Sequence, residues 1–142
     1  MKPRSLMLCV ALTLPLPAMA GDPSTCAALL GEVETHLKQA ALAEVLSMTV
    51  PDPATAASNA QSATATRRIV DHHLRRLESA GCPPYPGPTD PAAYHGDALL
   101  CAYDLLKQRA DTPPCDRSAW THKGRSETWH RLEGERSLPA PR

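Results

Sequence analysis

Four of the five cysteines constrain this chain more than any other feature of its sequence: Cys26, Cys82, Cys101 and Cys115. The fifth, Cys9, lies in an N-terminal apolar run that is typical of an export signal. The four are widely spaced, and even the nearest two are 14 positions apart. Structural zinc sites and redox motifs take their cysteines from close pairs of the C-x-x-C type. An even number of distant cysteines in an exported chain is instead typical of disulfides. We therefore expect two disulfides and no catalytic or zinc-binding cysteine.

The N-terminus has the features of an export signal, which fits this use of cysteine. Lys2 and Arg4 precede an apolar run at 6–14, and an Ala-Met-Ala cleavage motif ends at Ala20. The run is shorter than the roughly 20 apolar residues that a membrane span needs, and no later segment reaches that length. We expect residues 1–20 to be removed, leaving a periplasmic or secreted chain with no transmembrane segment.

Charge and composition narrow the possibilities further. Loss of Lys2 and Arg4 lowers the 15 basic residues to 13, against 15 acidic ones, for a net charge of −2. A nucleic-acid-binding protein would be expected to carry an excess of basic residues, so we expect no nucleic-acid partner. The chain has no Phe, three Tyr and two Trp, which makes large core side chains scarce. Small domains with such cores usually depend on covalent cross-links.

Three Asp-Pro pairs each precede a helical pattern. An Asp side chain can accept hydrogen bonds from the free N–H groups of a first turn, and Pro at the first helical position sacrifices no hydrogen bond. Alternating β-branched residues typical of strands do not persist. The sequence thus predicts an all-α domain over residues 21–115. Its predicted helices, in chain order, cover residues 23–49, 54–80 and 90–109.

The first two helices should form an antiparallel hairpin, because a turn of about four residues joins them. In such a hairpin the numbers of facing residues add up to a constant. The apolar residues satisfy this rule with sums of 107 or 108. The pairs are Leu30 with Leu77, Val33 with Leu74, Leu37 with Val70, Val45 with Ala63, and Met48 with Ala60. Large residues thus face large ones at one end and small ones at the other, as close packing requires.

The same register predicts the disulfide pairing. Cys26 and Cys82 also sum to 108, so they should face each other at the open end of the hairpin. Cys101 lies on the inward side of the third helix, and the Thr-Pro-Pro sequence before Cys115 should turn the chain back along that helix. We therefore expect a Cys26–Cys82 bond and a Cys101–Cys115 bond, with the third helix packed on the hairpin.

The C-terminal region, residues 116–142, is polar and mixed in charge. We expect it to form a largely disordered tail. Trp120 and Trp129 are its large side chains. The favoured interpretation is that one packs on the helical body and the other has no special role; the alternative is an arm whose aromatic residues dock on a partner.

The first candidate site for chemistry is a group of histidines on the hairpin. The register places His36 opposite His72, with His73 next to it and Glu32 one turn from His36. These residues could bind a metal ion or act as a proton switch. Adjacent helical residues point about 100° apart, however, and the nearby Arg67, Arg68, Arg75 and Arg76 should repel cations. The sequence therefore favours a solvated polar surface without a metal.

The second candidate is the Tyr-His-Gly-Asp segment at 94–97. It is superficially similar to the His-Asp pair that secreted phospholipases of the A2 type carry on a disulfide-held helix. Here Gly96 separates His95 from Asp97, and no glycine-rich calcium loop precedes them. We expect Asp97 to favour the start of the third helix through the helix dipole. The sequence contains no recognised catalytic motif, and we expect neither enzymatic activity nor a cofactor.

A small exported interaction protein is the function that these features favour. Its partner would be another envelope protein. Bacterial immunity proteins, enzyme inhibitors and accessory subunits of envelope or secretion machines share such an architecture, although architecture alone is a weak guide to function. The alternative is a carrier of a small apolar ligand or a metal ion. It would use either the histidines at 36 and 72 or a cavity between the hairpin and the third helix.

Overall fold

Three α-helices and three short 3-10 turns form the fold. The computed structural model of the protein describes residues 21–122. The helices are α1 (Pro23–Thr49), α2 (Pro53–Ser79) and α3 (His95–Leu106), and the turns are Pro91–Tyr94, Pro113–Cys115 and Arg117–Ala119. This part of the chain contains no strand, so the predicted all-α class is confirmed. The predicted export signal and the tail beyond residue 122 lie outside the described residues.

Asp-Pro begins α1 and α2 as predicted. The carboxylate of Asp22 accepts a hydrogen bond from the Thr25 N–H at 2.9 Å, and that of Asp52 accepts one from the Thr55 N–H at 2.8 Å. Side-chain hydrogen bonds within these caps lower the pKa of both carboxyl groups. The caps satisfy N–H groups that have no partner inside a helix.

The third helix differs from its predicted range of 90–109. Asp90 caps a 3-10 turn, and the α-helix begins only at His95. A 3-10 helix has three residues per turn, so Pro91 and Tyr94 share one side, and both are buried. The helix ends at Leu106 because Gln108 adopts a left-handed φ of 59°, which closes the last turn.

The end of α2 positions a cysteine. Gly81 has a φ of 67°, a conformation that favours glycine, and its N–H donates to the Glu78 carbonyl. The Cys82 N–H donates to the Leu77 carbonyl at 3.0 Å, which completes a Schellman motif. Cys82 then bonds to Cys26, with their Cα atoms 5.5 Å apart. The bond joins the open end of the hairpin as predicted.

Helix α1 lies at the centre of the fold. α2 packs along one side of it, and α3 with its preceding 3-10 turn packs along another. The third helix packs on the hairpin as predicted, and α3 makes its contacts mainly with α1. Because α1 is covered from two directions, it has the largest set of buried residues: Cys26, Leu29, Val33, Leu37, Lys38, Ala40, Ala41, Ala43 and Val45.

Most residues of the predicted hairpin pairs lie in the core, and Leu30 and Leu74 are partly buried against it. Val33 and Leu37 of α1 are fully buried, and Val70 and Leu77 of α2 are each only 2% exposed. Near the loop, both Val45 and Ala63 are buried. The predicted pair of Met48 with Ala60 lies outside the core, since Met48 is 44% exposed and Ala60 is exposed as well.

The packed structure continues past Cys115. Cys101 bonds to Cys115, which is the second predicted pair. The 3-10 turn Arg117–Ala119 follows, and Trp120 is buried in the same core as α1 and α3. Its indole N–H donates to the Pro114 carbonyl at 2.8 Å. Trp120 therefore packs on the helical body, as was expected of one of the two tryptophans, and Trp129 lies outside the described residues.

Candidate functional site

The histidines on the hairpin meet in a different pair from the one predicted. His36 of α1 stacks on His73 of α2, with ring centroids 5.1 Å apart and planes inclined by 29°. His72 is exposed and lies edge-on to the His73 ring, with ring centroids 5.7 Å apart. His73 lies three residues after Val70 and four before Leu77, both of which are buried. It therefore shares their inward side of α2, whereas His72 points away.

Glu32 completes a three-residue cluster at this position. One potential ligand atom from each of Glu32, His36 and His73 lies within 4.8 Å of those of the other two. His36 Nδ1 lies 3.7 Å from the Glu32 carboxylate and 2.8 Å from the Glu32 carbonyl oxygen. A carbonyl oxygen can only accept a hydrogen bond, so His36 Nδ1 carries the proton. In the neutral ring, Nε2 then keeps its lone pair.

His73 is the most unusual member of the cluster. Its Nδ1 atom is buried and has no hydrogen-bond partner. Burial lowers the pKa of His73 below the ordinary value of 6.5, and the neighbouring His36 lowers it further. The Glu32 carboxylate acts in the opposite direction, while Arg76 and His72 add to the lowering. The ring is thus neutral at neutral pH, with a nitrogen available to a ligand.

A second polar cluster, which was not predicted, joins the three α-helices. The Glu44 carboxylate of α1 accepts hydrogen bonds from Arg67 of α2 and from His95 of α3, the latter at 2.7 Å. Arg67 also reaches Asp90 at 3.4 Å. The hydrogen bond to Glu44 raises the pKa of Arg67 above its ordinary value. Both carboxylate oxygens of Glu44 are occupied, which gives this cluster a structural role.

A lone acidic residue in the apolar run at 40–48 was the available sequence signal for this cluster. Glu44 stands between the buried residues Ala43 and Val45. A charge in such a position usually has a partner. The partners themselves could not be identified from local spacing, because Arg67 and His95 are 23 and 51 residues away.

His95 and Asp97 do not form an acid-base pair with each other. His95 Nε2 faces Glu44, whereas the Asp97 carboxylate accepts a hydrogen bond from the Thr121 N–H at 2.9 Å. The two side chains therefore hold different parts of the structure to α3.

The outer face of α2 is the side of this helix that points away from α1. Its members are all exposed: Ala57, Gln61, Thr64, Ala65, Arg68, His72 and Arg75. The first four are small or uncharged, and the last three are basic or titratable. A shallow hollow of about 400 Å³ lies on this side, lined by Ala60, Gln61, Thr64, Ala65 and Arg68. It is not in the predicted location between the hairpin and the third helix.

No family model matches the chain, and no curated protein or solved structure matches it either. Within residues 21–122, no helix has both the length and the apolar character that a membrane span requires.

Proposed function

We propose that this chain is a small exported protein that acts by binding another protein of the cell envelope. An immunity protein, an enzyme inhibitor and an accessory subunit of an envelope or secretion machine all work in this way. The observation that carries the proposal is the outer face of α2. α1 covers the inner side of α2, while α3 packs mainly on α1 and leaves the outer face accessible.

The chemistry of this face suits a protein partner. Alanine loses no side-chain entropy when it is covered, so docking on Ala57 and Ala65 costs little conformational freedom. The small side chains also let a partner helix or loop come close to the backbone of α2. The exposed Arg68 and Arg75 make the second half of the face basic, which favours a partner with an acidic surface.

The disulfides support the same proposal in two ways. They suit a protein that works in an oxidising compartment outside the cytoplasm, such as the periplasm. They also hold the helices rigidly before binding. A preorganised surface loses less entropy when it associates, so it binds more tightly for the same contact area.

Site-specific cross-linking tests this proposal. A photo-cross-linking amino acid at Ala57 or Ala65 should capture the same dominant partner in the envelope of the producing cell, while one at the exposed Gln39 of α1 should not. The R68E/R75E variant should weaken that capture, and the R109E/R117E variant, which makes the same charge change elsewhere, should not. Absence of a dominant product from both α2 positions, at low and at moderate salt, would contradict the proposal.

A carrier of a small apolar ligand receives less support. The hollow on α2 is shallow, and Gln61, Thr64 and Arg68 line it beside two alanines. Pockets that hold apolar ligands bury most of the ligand surface among hydrophobic and aromatic side chains. The metal-ion form of the carrier alternative has a specific observation in its favour, which is the cluster of Glu32, His36 and His73.

A further inference from the structure

We propose that Glu32, His36 and His73 form a binding site for a divalent first-row transition-metal ion, with Zn²⁺ as the test case. The three side chains converge at the contact between α1 and α2, and one ligand atom of each lies within 4.8 Å of the others. This site is independent of the outer face of α2. A metal ion could bind there whether or not the protein has an envelope partner.

The three ligand atoms must move closer together to bind one ion. Zinc bonds to nitrogen and oxygen are about 2.0–2.1 Å long, so two ligand atoms of a tetrahedral site are about 3.4 Å apart. The separations of up to 4.8 Å must therefore shrink by about 1.4 Å, and the His36 ring must also present Nε2 to the ion in place of Nδ1, which lies 3.7 Å from the Glu32 carboxylate. Side-chain rotation can provide this, because the stacked rings of His36 and His73 come from different helices and Glu32 is exposed.

Two features prepare the nitrogens for a metal ion. The Nδ1–H of His36 donates to the Glu32 carbonyl at 2.8 Å, which orients the ring and leaves the lone pair of Nε2 free. Metal-binding histidines usually donate their second ring nitrogen to a carbonyl or carboxylate in this way. His73 Nδ1 is buried without a hydrogen-bond partner. Its lone pair could instead form a coordinate bond to a metal ion.

The arginines of α2 repel a cation at this site less strongly than their number suggests. Arg67 is paired with Glu44 and Asp90. Arg68 and Arg75 point about 140° and 160° away from His73 around α2, since each residue turns the helix by about 100°. Arg76 is about 60° away and remains close enough to act on His73. The Glu32 carboxylate offsets that one nearby charge.

The ligand types select the class of metal. Two imidazoles and one carboxylate suit zinc, copper, nickel or iron, whereas magnesium and calcium prefer sites made of oxygen atoms alone. Three protein ligands also leave a coordination position for water or for a group from another molecule. Because α1 provides two ligands and α2 provides one, the bound ion would cross-link the hairpin. Metal binding should thus raise its thermal stability.

Calorimetric titration of the disulfide-bonded chain 21–142 with ZnCl₂, after treatment with a chelator, tests the proposal. We expect saturation at one Zn²⁺ per chain, a raised thermal midpoint, and no binding of Mg²⁺. Mutation of a residue that hydrogen-bonds to a metal ligand typically weakens metal affinity about 10- to 100-fold. E32Q, H36Q and H73Q change the ligands themselves, so each should weaken Zn²⁺ affinity at least about tenfold. H72Q is the matched control, since it changes the adjacent exposed histidine, and it should retain the wild-type affinity.

NMR provides a second measurement that does not depend on a variant's folding. In the wild-type chain, Zn²⁺ should shift the imidazole nitrogen resonances of His36 and His73 and leave those of His72 and His95 in place. The proposal is overturned if wild-type protein binds no Zn²⁺ up to about 1 mM, or if the shifted resonances belong to other histidines. Equal loss of affinity in H72Q and H73Q would overturn it as well.

Discussion

Glu44 Oε2 of α1 lies 2.7 Å from His95 Nε2 of α3, although 51 residues separate them in the chain. The other carboxylate oxygen accepts a hydrogen bond from Arg67 of α2. One largely buried carboxylate therefore contacts both helices that pack on α1. This single side chain links α2 and α3 to the central helix, in addition to the apolar packing between them.

Replacing Glu44 with glutamine should destabilise the protein. The change keeps the shape of the side chain but removes the charge that Arg67 and His95 share. Hydrogen bonds to charged groups contribute more than neutral ones, and partial exposure of Arg67 reduces the effect, so we expect a loss of about 1–2 kcal/mol. Urea unfolding measures it. E78Q, at an exposed position of α2, should change stability by less than about 0.5 kcal/mol. Equal midpoints for E44Q and E78Q would show that the cluster contributes nothing.

Removal of the hairpin disulfide should cost more stability than removal of the second one. The Cys26–Cys82 bond spans 56 residues, and the Cys101–Cys115 bond spans 14. In the chain-entropy model these loops correspond to about 4 and 3 kcal/mol respectively. Thermal unfolding of C26S/C82S and C101S/C115S, followed by circular dichroism, checks the order. A C26S/C82S variant as stable as wild type would contradict the view that this small core needs covalent support.

The Asp caps should make stability depend on acidic pH. Their hydrogen bonds lower the pKa of Asp22 and Asp52 in the folded state, below the ordinary value of 3.8. A lowered folded-state pKa contributes stability above the unfolded value and loses it as the pH falls through the folded value. We therefore expect D22A/D52A to be less stable than wild type at pH 7, with the difference shrinking below about pH 4.

Urea unfolding midpoints of D22A/D52A and wild type, measured from neutral to strongly acidic pH, test whether the stability difference shrinks. D71A, which removes an exposed carboxylate in the middle of α2, is the control and should remain near wild type at neutral pH. A difference between D22A/D52A and wild type that stays constant through the acidic range would argue against the ionised caps as its source.

Trp120 should be essential for stability although it follows the last disulfide. The indole is 4% exposed, and its N–H donates to Pro114. Truncation of a buried Trp to Ala typically costs about 3–5 kcal/mol, and we expect W120A to fall in this range. The neighbouring R117A, at an exposed position, should have little effect. If W120A unfolded at the wild-type denaturant concentration, residues 116–122 would not be docked on the body.

Local patterns were sufficient to predict much of this architecture. The first two Asp-Pro pairs located the starts of α1 and α2, and Gly81 located the end of α2, since these signals act on neighbouring backbone groups. The third pair begins a 3-10 turn ahead of α3. The register of the hairpin followed from its short loop and from the apolar period, which also brought Cys26 to Cys82. These constraints agree because one antiparallel arrangement satisfies all of them. The candidate metal cluster was predicted less accurately, because His72 was expected opposite His36 and His73 occupies that position.

The sequence by itself determined the all-α class, the helical hairpin and both disulfide pairs, because each depends on spacing along one chain segment or across one short turn. Tertiary structure alone decided that α3 packs on α1, that Trp120 enters the core, and that Glu44 joins three segments. It also decided which histidine meets His36, because one position along a helix turns a side chain by about 100°. A register error of a single residue therefore leaves a fold prediction intact but moves a ligand from the helix contact into solvent.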